Sequence, residues 1–448
     1  MEATNRSTAF LNALDAVRAD GMPDTVMARA KRSLLDYLAV TCAGAEFQKD
    51  KLAHYLAFAV PEAGAFSAIG MGRRLVLKEA VFLNGLNGHA LDFDDGTNAG
   101  IIHLGSPIFS LLLPLAQRYG KMVEEVLWAA VLGYEASFTL AVSIQPGHKA
   151  IGFHATGTCG TIGAALAAAE LLGFGVEERF WAFAAACAAS SGMLMVLDDG
   201  SELKPYNVAK TALLALTALQ LGKAGFRGHP DPLGGTRGFF KMMAGHADVA
   251  IKPMRLGGTY ALMKSYTKPY ASCRYTHPAV EAAIRLRSTV AANEVEGIDV
   301  RTYKLAVAGH DHTEAAGAYS AKMSIPFATA AGLLYGKAGL QEFTEDAIRR
   351  PEMAALARKV HVEADEAFSA AFPTVQTAEV SIRTPRGEFR ERVDFPKGEP
   401  ENPLTDAEFR ERYDGLMTYA GIAPATSARV FDAVWCGKTS VEELLAGL

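Results

Sequence analysis

A mainly helical chain carrying an inserted α+β part is what this sequence predicts, on three observations. Apolar residues recur at spacings of three and four over the stretch before Tyr260. β-branched and alternating segments set in after Tyr260. Helical patterning then returns between the Pro/Gly/charged stretch Pro396–Pro403 and Leu448. The economical architecture is an all-helical domain from both chain ends, residues 1–264 and 402–448, with a smaller α+β domain, residues 265–401, inserted between them.

Taken in order, Val26–Val40 carries Met27, Ala30, Leu34 and Leu38 at the spacing of an amphipathic stripe. Thr156–Leu172 is rich in Ala, Gly and Thr, which lets neighbouring backbones approach, and Gly173 supplies a C-cap. Thr211–Leu221 is a further Ala-rich helix. The longest apolar stretch, Trp181–Leu197, is built of Ala, Ser and Gly and runs into Asp198-Asp199-Gly200, which reads as an internal helix and not as a bilayer span. In the inserted part, Ile298–Val307 is β-branched. Thr377–Thr384 alternates Ala378, Val380 and Ile382 with polar residues, Pro385-Arg386-Gly387 makes a turn, and Glu388–Val393 returns. Helices over Glu281–Arg287 and Pro326–Tyr335 lie between the strands.

The 448 residues are 50% hydrophobic and 21% charged, the signature of a folded chain with a sizeable core. A formal net charge of −5 supplies no broad positive field, so neither a nucleic acid nor a membrane surface is an expected partner. The N-terminal residues lack a basic segment followed by an apolar one, and the expected location is the cytoplasm. Five scattered cysteines, with no CxxC pair, argue against a disulfide framework and a structural zinc site. No GxGxxG after a strand, Walker A sequence, GxSxG elbow or HExxH is present, so nucleotide-dependent, serine-hydrolase and metalloprotease chemistry lack their usual signals.

Five segments hold residues capable of chemistry. In Asn84–Gly96 three carboxylates, Asp92, Asp94 and Asp95, fall within four positions, and His103 follows 11 residues after Asp92. That pattern suits a carboxylate-oriented acid/base histidine, although Asp94 and Asp95 also suit the bonding of nearby amides. His154 stands just before the small-residue helix, where unpaired backbone N–H groups favour an anion and a neutral imidazole. Glu202–Lys210 sets Lys204, Tyr206 and Lys210 at another helix start, where a lysine opposes the helix dipole unless an anion compensates. Lys268–His277 packs Lys268, Tyr270, Cys273, Arg274, Tyr275 and His277 into ten residues where the two textures meet. His310-Asp-His312, on a strand, would turn both rings to one face and could bind a metal, but the spacing offers no third ligand.

In this order the segments resemble the MmgE/PrpD family. The resemblance runs nearly the whole chain: Leu35-Asp-Tyr37 with Ala43-Gly44, His89-Ala-Leu-Asp-Phe-Asp-Asp95, His103-Leu-Gly-Ser106, Gly133-Tyr-Glu135, Gly152-Phe-His-Ala-Thr156, Lys204-Pro205, Gly234–Phe239, Lys268–Cys273 with His277, and Ala321–Phe327. It implies a homodimer with a helical domain and an α+β lid, the active site between them. It also implies a lyase or isomerase of a small di- or tricarboxylate, with no cofactor and no metal. Asp92, His103, His154, Lys204 and Lys268 fall where the family places catalytic groups, and Tyr206, Cys273, His277, His310, His312 and Phe327 are the expected substrate-binding residues.

Three departures stand out. Leu104 replaces the proline that commonly follows the motif histidine, Gly96 replaces a Thr or Ser, and Phe327 stands where relatives often carry a tyrosine. A missing phenol cannot donate a proton, and His310, His312 or Tyr206 are the available substitutes. The expected opening step is removal of a proton α to a substrate carboxylate, with Lys204 and Lys268 stabilising the developing charge. His103 is the expected base, His154 the acid or anchor, and Asp92 the group that fixes a ring tautomer. Dehydration of a 2-methylcitrate-like substrate is the expected outcome, with decarboxylation or epimerisation the alternatives. A non-catalytic anion binder and a metal-dependent lyase using His310 and His312 are the competing classes.

Overall fold

The stripe at Met27, Ala30, Leu34 and Leu38 lies inside a helix over Asp24–Phe47, and its two leucines are fully buried. The computed structural model describes residues 5–59, 63–196 and 201–448, so the Asp198-Asp199-Gly200 end of the apolar stretch lies outside the described residues. The chain is mainly α with an α+β part, as its patterning predicts. It divides into two compact units: Met1–Met195, Lys204–Ser265 and Glu408–Leu448 form the first, and Val196–Leu203 with Tyr266–Ala407 form the second.

In the first unit, helices Val123–Ile144, Ala155–Leu171, Val176–Ala189 and Lys204–Lys223 pack on one another through small residues. A Cβ built on Gly163 would stand 2.6 Å from the Gly133 carbonyl oxygen, so these backbones touch only because both residues lack side chains. Val123–Ile144 is long and apolar enough to cross a bilayer, yet 89% of that window is buried inside the protein, which makes it a core helix. The fully buried Glu135 on this helix accepts hydrogen bonds from the amides of Ala261, at 2.8 Å, and Arg255. It thereby ties down an irregular loop.

Three sequence expectations fail in this unit. A hairpin of β1 (Ala63–Ala68) and β2 (Arg73–Leu75) interrupts the helical run. Between Lys223 and Tyr260 the chain is mostly turns around a short helix, Phe239–Ala244, because Gly225 to Gly258 is studded with glycine and proline. The apolar stretch after Trp181 likewise leaves the helix at Ala189, where Ser190 caps it.

The second unit is built on a mixed sheet of β3 (Gly297–Thr302), β4 (Val360–Ala364), β5 (Ala378–Thr384) and β6 (Gly387–Val393), in the order β4-β3-β5-β6. Only β3 and β4 run parallel among these pairs. The predicted hairpin closes with Thr384 opposite Gly387, and Ala378, Val380 and Ile382 point into the core at 1% exposure or less. Helices His277–Leu286 and Ile325–Tyr335 pack on each other and on this sheet. The strand expected through Val307 stops at Thr302, and Lys304–Val307 turns into a helix.

Candidate active site

Helix Leu77–His89 delivers the first candidate residues, and a close approach fixes where it ends. A Cβ on Gly85 would come within 2.9 Å of the Ala209 Cα, so glycine lets this helix lie against Lys204–Lys223. The chain then makes a tight turn, with the Asp92 amide donating to the His89 carbonyl at 3.1 Å and Asp92 itself at φ +50°. A left-handed non-glycine residue costs about 1–2 kcal/mol and persists where its surroundings hold it.

Every acidic residue of the turn is engaged. Asp95 accepts from the Gly105 amide at 2.8 Å, at the start of helix Gly105–Tyr119, and from the Tyr134 hydroxyl at 2.6 Å. Asp94 accepts from the Ser106 hydroxyl at 2.8 Å and lies 2.7 Å from His89 Nδ1 and 3.4 Å from His103 Nδ1. Burial alone would raise the Asp94 carboxyl, but His89 and His103 beside it outweigh burial and hold it well below the usual carboxylate range. Asp92 is 1% exposed and pairs with the Lys204 ammonium at 2.6 Å. The cation at the start of helix Lys204–Lys223 is thus compensated by a protein carboxylate.

The hydrogen bonds assign the ring protons. His103 Nδ1 lies 2.9 Å from the Asp95 carbonyl, which can only accept, so the neutral ring carries its proton on Nδ1. Its Nε2 is left as an acceptor, 3.8 Å from Asp92 Oδ1. His154 is the mirror case: the Asn207 amide NH2 also donates to the Met193 carbonyl at 3.3 Å, and its contact to His154 Nδ1 at 3.2 Å makes that nitrogen the acceptor. His154 Nε2 therefore carries the hydrogen. Burial, reinforced by Lys204, holds His154 well below the normal imidazole range, so it is neutral. His89, fully buried, is pushed down to about 4 by burial against the opposing pull of Asp94, and its Nε2 makes no hydrogen bond. Its ring centroid stands 4.5 Å from that of His103 and 6.5 Å from that of His154.

One atom each from His89, Asp92, Asp94 and His103 fall within 4.8 Å of one another, a group that could hold a divalent cation. In this arrangement Lys204 already neutralises Asp92, and imidazole protons face Asp94.

The structure thus brings together Asp92, His103, His154 and Lys204, four residues separated by up to 112 positions, and adds two that the sequence reading missed, His89 and Asn207. The position of His89 in the last helical turn before the acidic run was the available signal. The anchor on the outer nitrogen of His103 is the Asp95 carbonyl, with Asp94 nearby, whereas Asp92 faces Nε2; the tautomer-fixing role expected of Asp92 belongs to its neighbours. Tyr206 does not join the cluster. It is 45% exposed, edge-on to Phe82, with Lys210 over its ring.

The other candidates lie in the second unit. Lys268 is 1% exposed. Cys273 Sγ stands 3.5 Å from His310 Nε2, and His310 Nδ1 donates to the Ala308 carbonyl at 2.8 Å. His277 opens helix His277–Leu286 and bonds Arg274 at 2.6 Å and the Ser272 carbonyl at 3.2 Å. His312 meets the Ser320 carbonyl at 3.1 Å. His310 and His312 sit in a turn, not on the strand their metal reading required, and their nitrogens have separate partners. Phe327 is buried in the first turn of Ile325–Tyr335, its amide bonded to the Ser324 cap at 3.1 Å.

Two family models match the chain: the MmgE/PrpD N-terminal domain over residues 9–252 and the MmgE/PrpD C-terminal domain over residues 270–436. Among curated proteins it is similar to a cis-aconitate decarboxylase of Mus musculus, 24% identical over 90% of this chain and 85% of the relative. A cis-aconitate decarboxylase of Aspergillus terreus is 25% identical over 89% and 86%. That of Homo sapiens is 23% identical over 90% and 86%.

Proposed function

The chain belongs to the MmgE/PrpD family, and from that premise we propose that it is a cofactor-independent lyase of a small, unsaturated tricarboxylate, with decarboxylation as its outcome. The observation that carries the reading is the pair of complementary imidazoles: His103 with an open acceptor nitrogen beside Asp92, and a neutral His154 with a donor nitrogen. A base and a proton donor of the same residue type, set apart by their hydrogen-bond partners, are what proton transfer at carbon requires.

In this mechanism His103 Nε2 takes a proton from solvent, the one that decarboxylation consumes, and the imidazolium so formed is stabilised by the Asp92 carboxylate 3.8 Å away. The Lys204 ammonium offsets the negative charge that develops on the substrate carboxylate, a contribution that grows in a site closed to water. His154 donates a hydrogen bond to the same substrate. Lys268 is the proposed second cation, on the strength of the family motif. When the departing carboxylate leaves as carbon dioxide, its electron pair stays on the substrate and the acquired proton is delivered to carbon.

Decarboxylation ranks ahead of dehydration because the Mus musculus and Aspergillus terreus relatives are cis-aconitate decarboxylases. Incubation with cis-aconitate, citrate, methylcitrate and iminodisuccinate in deuterated water tests the reading. Carbon dioxide release from cis-aconitate, with one deuterium retained at carbon and loss of at least about a hundredfold in His103→Ala, is the expected result. Water release from a hydroxylated substrate would replace decarboxylation by dehydration. Thermal stabilisation without exchange or turnover would make the protein an anion binder and overturn the lyase.

A further inference from the structure

The first unit buries an ion pair that no step above uses. Arg412, on helix Asp406–Tyr419, meets Asp36 of helix Asp24–Phe47 at 2.9 Å, with side-chain exposures of 7% and 5%. A buried pair of this kind adds little net stability over an apolar pair of the same volume, because both charges lose their hydration. Its presence calls for another account, and the guanidinium supplies one. It donates to the Phe93 carbonyl at 2.8 Å and stands over the Phe93 ring, 4.0 Å from ring centroid to guanidinium carbon. Its Nε and Nη1 make no hydrogen bond, as befits a cation spread over an aromatic face.

Phe93 is the residue between the two working carboxylates. On its C-terminal side the turn is held by Ser106 and His89 on Asp94, and by Gly105 and Tyr134 on Asp95. On its N-terminal side stands Asp92, in the left-handed conformation that relaxes unless held. Arg412 grips Phe93 at both its carbonyl and its ring.

We infer that Arg412 is a positioning residue of the site: by clamping Phe93 it holds Asp92 at the register where its carboxylate meets Lys204 and faces His103 Nε2. The inference rests on the lyase reading for its kinetic consequence, but its structural content can be measured without turnover.

Arg412→Met, Arg412→Lys and Phe93→Leu test it. In the lyase assay Arg412→Met lowers kcat about tenfold to a hundredfold, the effect of a displacement near 1 Å, with KM within about threefold of the parent. Arg412→Lys, which keeps the charge and a donor, recovers part of the loss, and Phe93→Leu, which keeps the carbonyl bond, loses less. A folded Arg412→Met with unchanged kcat, or with its whole effect in KM, overturns the inference. Amide hydrogen exchange gives a readout independent of activity. Residues 90–104 exchange at least about tenfold faster in Arg412→Met while Val123–Ile144 keeps its protection, and unchanged exchange over 90–104 also overturns it. If the parent turns over none of the carboxylates, the lyase reading fails and the exchange result still decides the clamp. If Arg412→Met does not fold, Phe93→Leu decides by the same two measurements.

Discussion

The segments Asp92–His103 and Lys268–His277 look alike as strings of polar residues, and the structure uses them differently. In the first, side chains from five helices and turns converge on one another: Asp92 on Lys204, Asp94 on His89 and His103, His154 on Asn207. One nitrogen of each of His103 and His154 is fixed by the protein and the other is left for chemistry. In the second, much of the polar inventory is spent on the local fold. Arg274 is bound to Glu399 and His277, and both nitrogens of His277 have partners within five residues. Density of reactive residues alone does not mark a site. What marks it is a fixed side chain with a functional atom still available.

The largest effect should separate these two segments directly. Lys204→Met removes the partner of a carboxylate that is 1% exposed, and a buried charge left without its partner costs about 3–5 kcal/mol. Urea unfolding should show that loss, and turnover in the surviving folded protein should fall at least about a hundredfold. His277→Gln should cost about 1–3 kcal/mol through its lost hydrogen bonds and leave turnover within about threefold. Collapse of activity in folded His277→Gln would erase the contrast.

A pH series sharpens it. Burial pushes His89 down to about 4, so between that pH and about 6.5 the unfolded chain binds a proton that the folded one refuses, and His89 makes stability rise with pH. Burial pushes Asp36 up to about 6 despite Arg412, so over nearly the same window the folded chain holds a proton that the unfolded one has released, and Asp36 makes stability fall with pH. Each contributes at most about 3 kcal/mol, and together they nearly cancel. Urea midpoints from pH 4 to 6.5 should therefore slope downward with pH in His89→Gln and upward in Asp36→Asn. Matching slopes in the two variants would show that these groups do not titrate as their burial requires.

The smallest effect is geometric. Gly85→Ala puts a methyl group against Ala209 and should cost about 1–3 kcal/mol, visible as a lower thermal midpoint. A midpoint at or above the parent's would mean that the two helices carrying His89 and Lys204 need no close approach.

Much of the fold was legible because long amphipathic stripes leave little choice. Leu34 and Leu38 can only face a core, and the alternation in Thr377–Thr384 admits one face inward. The hairpin over Ala63–Leu75 was not legible, since Ala-Gly-Ala-Phe-Ser-Ala lacks the β-branched residues that announce a strand. β4, with Val360 and Val362 as its inward residues, was too short to stand out. At the site, residue types were readable but pairings were not: nothing local says that Lys204 belongs to Asp92 and not to solvent. Arg412 carried no signal at all, because an arginine on an amphipathic helix reads as surface until its burial is known.

The clamp on Phe93 also sets an order in time. Arg412 and Phe93 are 319 residues apart, and at roughly 5–20 residues per second a ribosome needs about 15 seconds to a minute to add that much chain. For that interval the nascent helices around Asp92 exist without the grip that holds the turn, and the carboxylate run waits on almost the last helix to emerge. The cell makes the reactive residues early and makes them competent late.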